Sequence, residues 1–244
     1  MRVPRLYLSE CTGALVGDVL ALSAEQVHHL ARVLRRSSGD PLVVFDGAGQ
    51  SFEATLQLAP KGAAGHVTVG VARPIEPAPA TPLWVALAML KSDTLDYVLQ
   101  KATELGAAGI QLLETQRSEA RLADSGRRER RLAHWRGILI GACEQSGRSW
   151  VPQLLAPIAF AEGVAADGQR WLLDPEGERF GSRPPLQGSP LTLAIGPEGG
   201  WTELERSAAR AAGIPEVSFG PRVLRADTAP VVALALVQHL VGGL

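Results

Sequence analysis

Four prolines in ten residues, in the stretch Arg73-Pro-Ile-Glu-Pro-Ala-Pro-Ala-Thr-Pro82, interrupt any helix or strand ladder that would otherwise run through that point. Proline fixes its own φ, has no N–H to donate and disfavours helix in the residue before it, so 74–82 reads as an extended, semi-rigid linker. The two sides of the tract obey different periodicities. Residues 1–73 hold three β-like runs, "PLVVFDG", "SFEATLQL" and "HVTVGVA", between glycine-bearing turns, and predict a small β-barrel. Residues 83–244 alternate apolar strand-like runs with helical ones, which predicts an α/β domain with a mainly parallel sheet. At 244 residues and 46% hydrophobic content both parts can bury a core, and no apolar run approaches a membrane span.

The front part carries one predicted helix, "SAEQVHHLARVLRRSSGD". Ser23 and Gln26 form a capping box, and Val27, Leu30, Val33 and Leu34 recur at helical spacing. That spacing collects His28, Arg32, Arg35 and Arg36 on the polar side, a basic stripe suited to RNA phosphates. The adjacent His28 and His29 lack cysteine or acidic partners at ligand spacing, so no metal is expected. Cys11 and Cys143 make neither a disulfide framework nor a metal set, and the first residues lack the apolar region of a secretion signal. A cytoplasmic protein is therefore expected. Between Arg117 and Arg136 there are seven arginines against Glu119, Asp124 and Glu129, a local excess of four within a chain of net charge −1. Such a run is either an RNA contact or a solvated helix face.

Past the linker, "LWVALAML" reads as a strand and "KSDTLDYVLQKATELG" as an amphipathic helix with Leu95, Val98, Leu99, Ala102 and Leu105 on one face, closed by Gly106. "GIQLLETQ", "RWLLDPEG", "LTLAI" and "EVSFG" read as further strands. "TAPVVALALVQHL" reads as a last helix, apolar nearly all round, capped by Asp227 or Thr228. A helix without a polar face needs a second cover, and a partner subunit would supply it. The stretch "LAIGPEGGW" reads as a strand running into a glycine loop. Thr202 and Glu205 then form the capping box of a following helix that Gly213 ends. Three strands thus end in loops of unusual composition, "DPEGE", "GPEGG" and "GPRVLRADTAP". Ligands of open α/β sheets lie beyond the carboxyl ends of strands, so these loops are expected to converge on one pocket. Neither a P-loop nor a G-x-G-x-x-G pattern is present.

The motifs "HHLARVLRRSSGD", "KSDTLDYVLQKATELG", "ACEQSGR", "LAIGPEGG" and "FGPRVLRADTAP", in that order along almost the whole chain, resemble the RsmE-type family of SPOUT-class methyltransferases. The resemblance implies an N-terminal PUA-like RNA-binding β-barrel and a C-terminal α/β domain tied in a deep trefoil knot. It also implies a homodimer and transfer of a methyl group from S-adenosylmethionine to N3 of uridine 1498 in 16S ribosomal RNA of the small subunit. By the same resemblance the cofactor lies against Leu173, Gly196, Gly200, Gly220, Leu224 and Arg225. Arg117, at the head of the arginine run, is grouped with the basic stripe as a candidate RNA contact. One departure is visible: the family's R-T-E-T-A reads Arg225-Ala-Asp-Thr-Ala229 here, which keeps a carboxylate at Asp227 with shorter reach. Methylation of another RNA position, or non-catalytic RNA binding during assembly, are the alternatives.

Uracil N3 is protonated at neutral pH, so its methylation needs a proton acceptor and stabilisation of charge on O2 and O4. Arg225, which the resemblance sets beside the cofactor, is expected to position the substrate or to stabilise that charge. Glu198 is the motif carboxylate placed to accept the proton, or else a cap at the helix N-terminus. Arg222 reads as a buried ion pair or an RNA contact, and Glu144 with Arg148 as an ion pair near the site.

Overall fold

The computed structural model describes residues 3–60, 64–118, 125–165, 168–181 and 188–243. Lys61, Glu119, Arg121 and Asp124, which entered the reading of charge, lie outside the described residues. The chain forms two compact units: Met1–Ala78 together with Cys143–Val151, and Pro79–Ala142 together with Pro152–Leu244.

The first unit is a five-stranded sheet of β1 (Arg5–Tyr7), β2 (Val19–Ala21), β3 (Pro41–Phe45), β4 (Ser51–Leu58) and β5 (Gly65–Ala72), in the order β1-β3-β4-β5-β2. The pair β1 and β3 is parallel and the others antiparallel. All three β-like runs of the sequence are strands. The short β1 and β2 carry too few residues to announce themselves by alternation. Leu6, Leu30, Leu42, Val44, Leu56 and Val67 fill the core beneath the sheet.

The predicted helix of this unit is corrected by the structure. The Ser23/Gln26 capping box forms, with α1 over Ala24–His28, but the chain then widens into a single π-type turn, His29–Val33, and stops. Arg35 adopts a left-handed conformation, φ 53°, and its neighbour Arg36 donates its backbone N–H to Leu30. A left-handed residue terminates a helix. Val33 is therefore 60% exposed rather than core, and the basic residues are not one helical stripe. His28, Arg32 and Arg35 are exposed, while Arg36 is half-buried.

In the second unit six strands lie in the order β11-β9-β10-β6-β7-β8, every pair parallel. They are β6 (Leu83–Ala88), β7 (Gly109–Glu114), β8 (Gln153–Ala159), β9 (Gln169–Arg179), β10 (Leu191–Ile195) and β11 (Glu216–Ser218). The helices are α2 (Ser92–Glu104), α3 (Ser125–Ser146), α4 (Phe160–Ala165), α5 (Glu203–Ala211) and α6 (Thr228–Val241). Helices cover a parallel sheet on both faces, so its strands are near-continuous apolar runs; β6 is buried at five of six positions. Strand β8 escaped the sequence reading because its pattern is broken by exposed positions at this sheet edge.

The chain runs outward through β6, β7 and β8, then crosses to lay β9 on the far side, with β10 filling the gap beside β6. That reversal makes a crevice at the carboxyl ends of β6 and β10, the place where such sheets bind ligands. Trp135 and Leu139 of α3 are fully buried, and the Trp135 indole N–H donates to Asp96 of α2 at 3.1 Å.

Candidate active site

A cavity of about 630 Å³ opens at the carboxyl ends of β10 and β11 and against the middle of β9, bordered by the segment before α6. Its wall includes Leu173, Asp174 and Pro175 from β9, Ile195–Trp201 after β10, Val217–Phe219 at β11 and Arg222–Asp227 beyond, with Lys91 and Thr94 from the start of α2. The volume falls in the usual range for small-molecule and cofactor sites. All three loops singled out in the sequence therefore meet.

They meet in forms that the sequence only partly announces. "DPEGE" is not a turn closing a strand: β9 continues through it to Arg179 as a bulge. Glu216 of β11 pairs with Leu172 and the next residue, Val217, pairs with Glu178, which leaves the five residues between them to project. Arg206 on α5 holds the bulge in place, donating to Glu176 at 2.8 Å and to Glu216 at 2.9 Å and lying 3.7 Å from Asp174. Its bonds to Glu216 and then Glu176 hold the guanidinium above its ordinary value, so it is a permanent cation. Nothing in periodicity singles out Arg206, whose acidic partners lie up to 32 residues away in sequence.

The glycine loop is built from the inside out. A side chain at Gly196 would meet the Trp201 indole at 3.1 Å, and one at Gly199 would meet the stem of Arg117 at 3.3 Å. At both positions the close neighbour is therefore protein. Trp201 packs on Phe160 with centroids 5.1 Å apart and donates its indole N–H to the Leu173 carbonyl at 2.9 Å, tying the β10 loop to β9. Gly200 differs. Its φ of 67° closes the Pro197–Gly200 turn, and no atom lies within 4 Å of where a side chain would begin, so it faces open space. Thr202 and Glu205 form the capping box of α5 as expected.

Leu173, Gly196, Glu198, Gly200, Leu224 and Arg225 all line the cavity. Gly220 stands just outside its wall, its carbonyl accepting from the Ser218 hydroxyl at 3.0 Å. Glu198 is exposed on the rim and lies four residues before the N-cap, so the capping role is taken by Thr202 and Glu205 instead. Arg225 is 87% exposed, 3.7 Å from Asp227. Arg222 is likewise exposed, which corrects the buried ion pair considered for it. Asp227 precedes α6 without a capping bond from its side chain, because it accepts from the Thr228 hydroxyl at 2.8 Å. Arg117 is not in the cavity wall. Its guanidinium donates to the carbonyls of Gly199 at 2.7 Å and Trp201 at 3.1 Å.

His28, Arg32, Arg35 and Arg36 belong to the first unit, as does Glu144. Glu144 accepts from the Tyr7 backbone N–H at 3.0 Å, and burial raises its pKa. The described residues contain no cluster of histidine, cysteine and carboxylate groups suited to a metal, and none of their helices is long and apolar enough to cross a membrane.

Residues 76–238 match the family model of an RNA methyltransferase domain, and residues 22–64 that of an RNA methyltransferase PUA domain. Among curated proteins the chain is 35% identical over 236 residues to ribosomal RNA small subunit methyltransferase E of Synechocystis, covering 93% of this chain and 75% of the relative. The Bacillus subtilis protein of that name is 27% identical, with 96% and 95% covered. Among solved structures, a Legionella pneumophila methyltransferase in complex with the cofactor SAM superposes with a TM-score of 0.90 at 31% identity, over 98% of both chains. Ribosomal RNA small subunit methyltransferase E of Neisseria gonorrhoeae, bound to S-adenosyl methionine, gives 0.87 at 31% identity, again over 98% of both.

Proposed function

This chain belongs to the RNA methyltransferase family that includes ribosomal RNA small subunit methyltransferase E, and from that premise we propose that it methylates N3 of uridine 1498 in 16S ribosomal RNA, using S-adenosylmethionine. The observation that carries this reading is the cavity where the β9, β10 and β11 loops meet. It combines apolar surface from Ile195, Val217, Phe219 and Leu224 with a backbone turn whose Gly200 leaves space open. An adenine ring and a charged amino-acid moiety need that pairing of apolar floor and polar backbone. Leu173, Gly196, Gly200, Leu224 and Arg225 would hold the cofactor there, with Gly220 behind them.

When bound, S-adenosylmethionine supplies an electrophilic methyl group on a sulfonium. The chain's own work is to seat the uracil in line with it and to manage one proton and one negative charge. Arg225, on the rim and exposed, stabilises the charge that spreads onto O2 and O4 as N3 loses its proton. Glu198, which makes no ion pair among the described residues, accepts that proton. The new bond joins N3 to the methyl carbon as the bond from carbon to sulfur breaks, so no metal is required.

The proposal extends to the rest of the molecule. His28, Arg32, Arg35, Arg36 and Arg117 are assigned to RNA, and residues 1–73, 74–82 and 83–244 to barrel, linker and methyltransferase domain. The loops around the cavity are assigned to a deep trefoil knot. A homodimer, working in the cytoplasm, covers α6, on which Leu236 and Leu240 are 38% and 43% exposed. Offering the enzyme 16S RNA that already carries a methyl at N3 of the target uridine tests the assignment. Such RNA accepts no further methyl if the reading holds, and labelling equal to that of unmodified RNA refutes it.

A further inference from the structure

The turn at the end of β7 is tied to the glycine loop after β10 and to the start of α5 by three bonds, in all of which the β7 turn supplies the donor. From the helix side, the buried carboxylate of Glu205 accepts the Gln116 backbone N–H at 2.9 Å through one oxygen. Its other oxygen accepts the Thr202 N–H and hydroxyl at 2.8 and 2.9 Å. From the strand side, Arg117 places one guanidinium nitrogen between the carbonyls of Gly199 and Trp201. Thr115 and Ser118, both buried, share a hydroxyl bond of 2.8 Å that shapes the turn beneath Arg117. The stem of Arg117 lies against Gly199, where a side chain would come within 3.3 Å of it.

We propose that Arg117 is a positioning residue for the cofactor, fixing the turn Pro197–Gly200 in the shape that the methyl donor needs; this rests on the proposed function of the cavity. The two carbonyls it holds bracket Gly200, the residue that faces the open space. The Gly199 carbonyl lies in the peptide plane before Gly200, whose N–H also donates to Pro197, and the Trp201 carbonyl lies in the plane after Trp201, so the chain is held on both sides of the Gly200–Trp201 peptide before the ligand arrives. Pre-set geometry of this kind raises affinity by sparing the ordering that binding would otherwise cost. The bonds are charge-assisted, hence stronger than amide-to-carbonyl bonds, yet Arg117 is itself exposed, with its bond to Gly199 at the surface and its bond to Trp201 half-buried. Water therefore replaces the lost donor when Arg117 is removed, and the fold survives while the turn loosens.

Two measurements on the full-length protein test this. The first is hydrogen exchange of the 196–204 amides without ligand. Arg117→Ala is expected to accelerate exchange there and to leave the β6 and β10 amides unchanged, with partial recovery in Arg117→Lys, which keeps a donor but not the planar fork. The second is S-adenosylmethionine binding by calorimetry together with the saturated single-turnover rate. Arg117→Ala is expected to weaken binding by about tenfold, as for loss of a charged hydrogen-bond donor, while the saturated rate changes by less than about threefold. Unchanged exchange, or parental affinity with a weaker and less salt-sensitive interaction with RNA, overturns the proposal and makes Arg117 an RNA contact alone. If the parent itself fails to bind S-adenosylmethionine, the functional reading of the cavity falls, and the exchange comparison still decides what Arg117 does to the turn.

Discussion

Replacing Gly200 separates two reasons for a glycine that are usually confounded, backbone conformation and space. Its φ is 67°, and apart from its own chain neighbours no atom lies within 4 Å of where an added side chain would begin. The cost to folding is thus purely conformational, about 1–2 kcal/mol for an L-residue held in the left-handed region. Gly200→Ala is expected to lower the unfolding free energy by about 1 kcal/mol and Gly200→Val by about 2, because β-branching restricts that region further. Gly200→Asn should cost less than about 1 kcal/mol, since asparagine visits the left-handed region readily. Urea unfolding of the three variants measures this ladder. Cofactor affinity should not follow it. Asparagine places the largest polar group over the cavity, so Gly200→Asn is expected to weaken S-adenosylmethionine binding by at least about tenfold, or 1.4 kcal/mol, while remaining the most stable of the three. Parental affinity in the asparagine variant would mean that Gly200 only shapes a turn. A loss of several kcal/mol in the alanine variant would mean that the space around it is not open.

Arg225→Ala is expected to lower the saturated methyl-transfer rate by about a hundredfold with a much smaller loss of cofactor affinity, and raising the pH should restore part of the rate because a deprotonated uracil needs less stabilisation. Single-turnover rates across pH check it, and a loss confined to affinity removes Arg225 from the catalytic role. Alanine at both Arg32 and Arg35 should weaken RNA binding and flatten its dependence on salt, as each lost phosphate contact removes counterion release; an unchanged slope makes them solvated surface. Glu144 is raised from its ordinary value first by burial, against the Tyr7 N–H bond and the neighbouring His29 and Arg5 that lower it. A carboxyl raised in the fold favours the folded state while neutral, and that contribution is lost as pH rises through the folded value. Glu144→Gln, which can still accept from Tyr7, should therefore be stabilising above the carboxylate range and neutral below it. Urea midpoints at both ends of that range check the sign.

The sequence disclosed most where physics acts locally. Both capping boxes, the amphipathic α2 and five of the six strands of the parallel sheet depend on residues close together in sequence, and the sequence predicts them. The convergence of three loops followed from a general rule about sheet ends, and the cavity lies there. What escaped depends on distant partners or on small departures from ideal geometry. The helix after Ser23 keeps its spacing on paper, but the π-type turn and the left-handed Arg35 carry Val33 out to solvent. "DPEGE" has turn composition, yet it is a bulge because Arg206 and β11 hold it from outside. The resemblance sets Gly196 and Gly200 of the loop against a cofactor. Gly196 and Gly199 admit Trp201 and Arg117, and only Gly200 among the three faces open space. Asp227, with shorter reach than the family's glutamate, bonds its neighbour Thr228.

Which atom of the RNA receives the methyl group is read from the nucleoside that the protein forms. The purified protein is incubated with labelled S-adenosylmethionine and either small ribosomal subunits or naked 16S ribosomal RNA, and the RNA is then digested to nucleosides and analysed by mass spectrometry. Label is expected in 3-methyluridine, at a single site within 16S RNA, and is absent when that uridine is replaced by cytidine. Label in a ribose-methylated nucleoside, in another base, or in no nucleoside while the cofactor binds would contradict the proposed function.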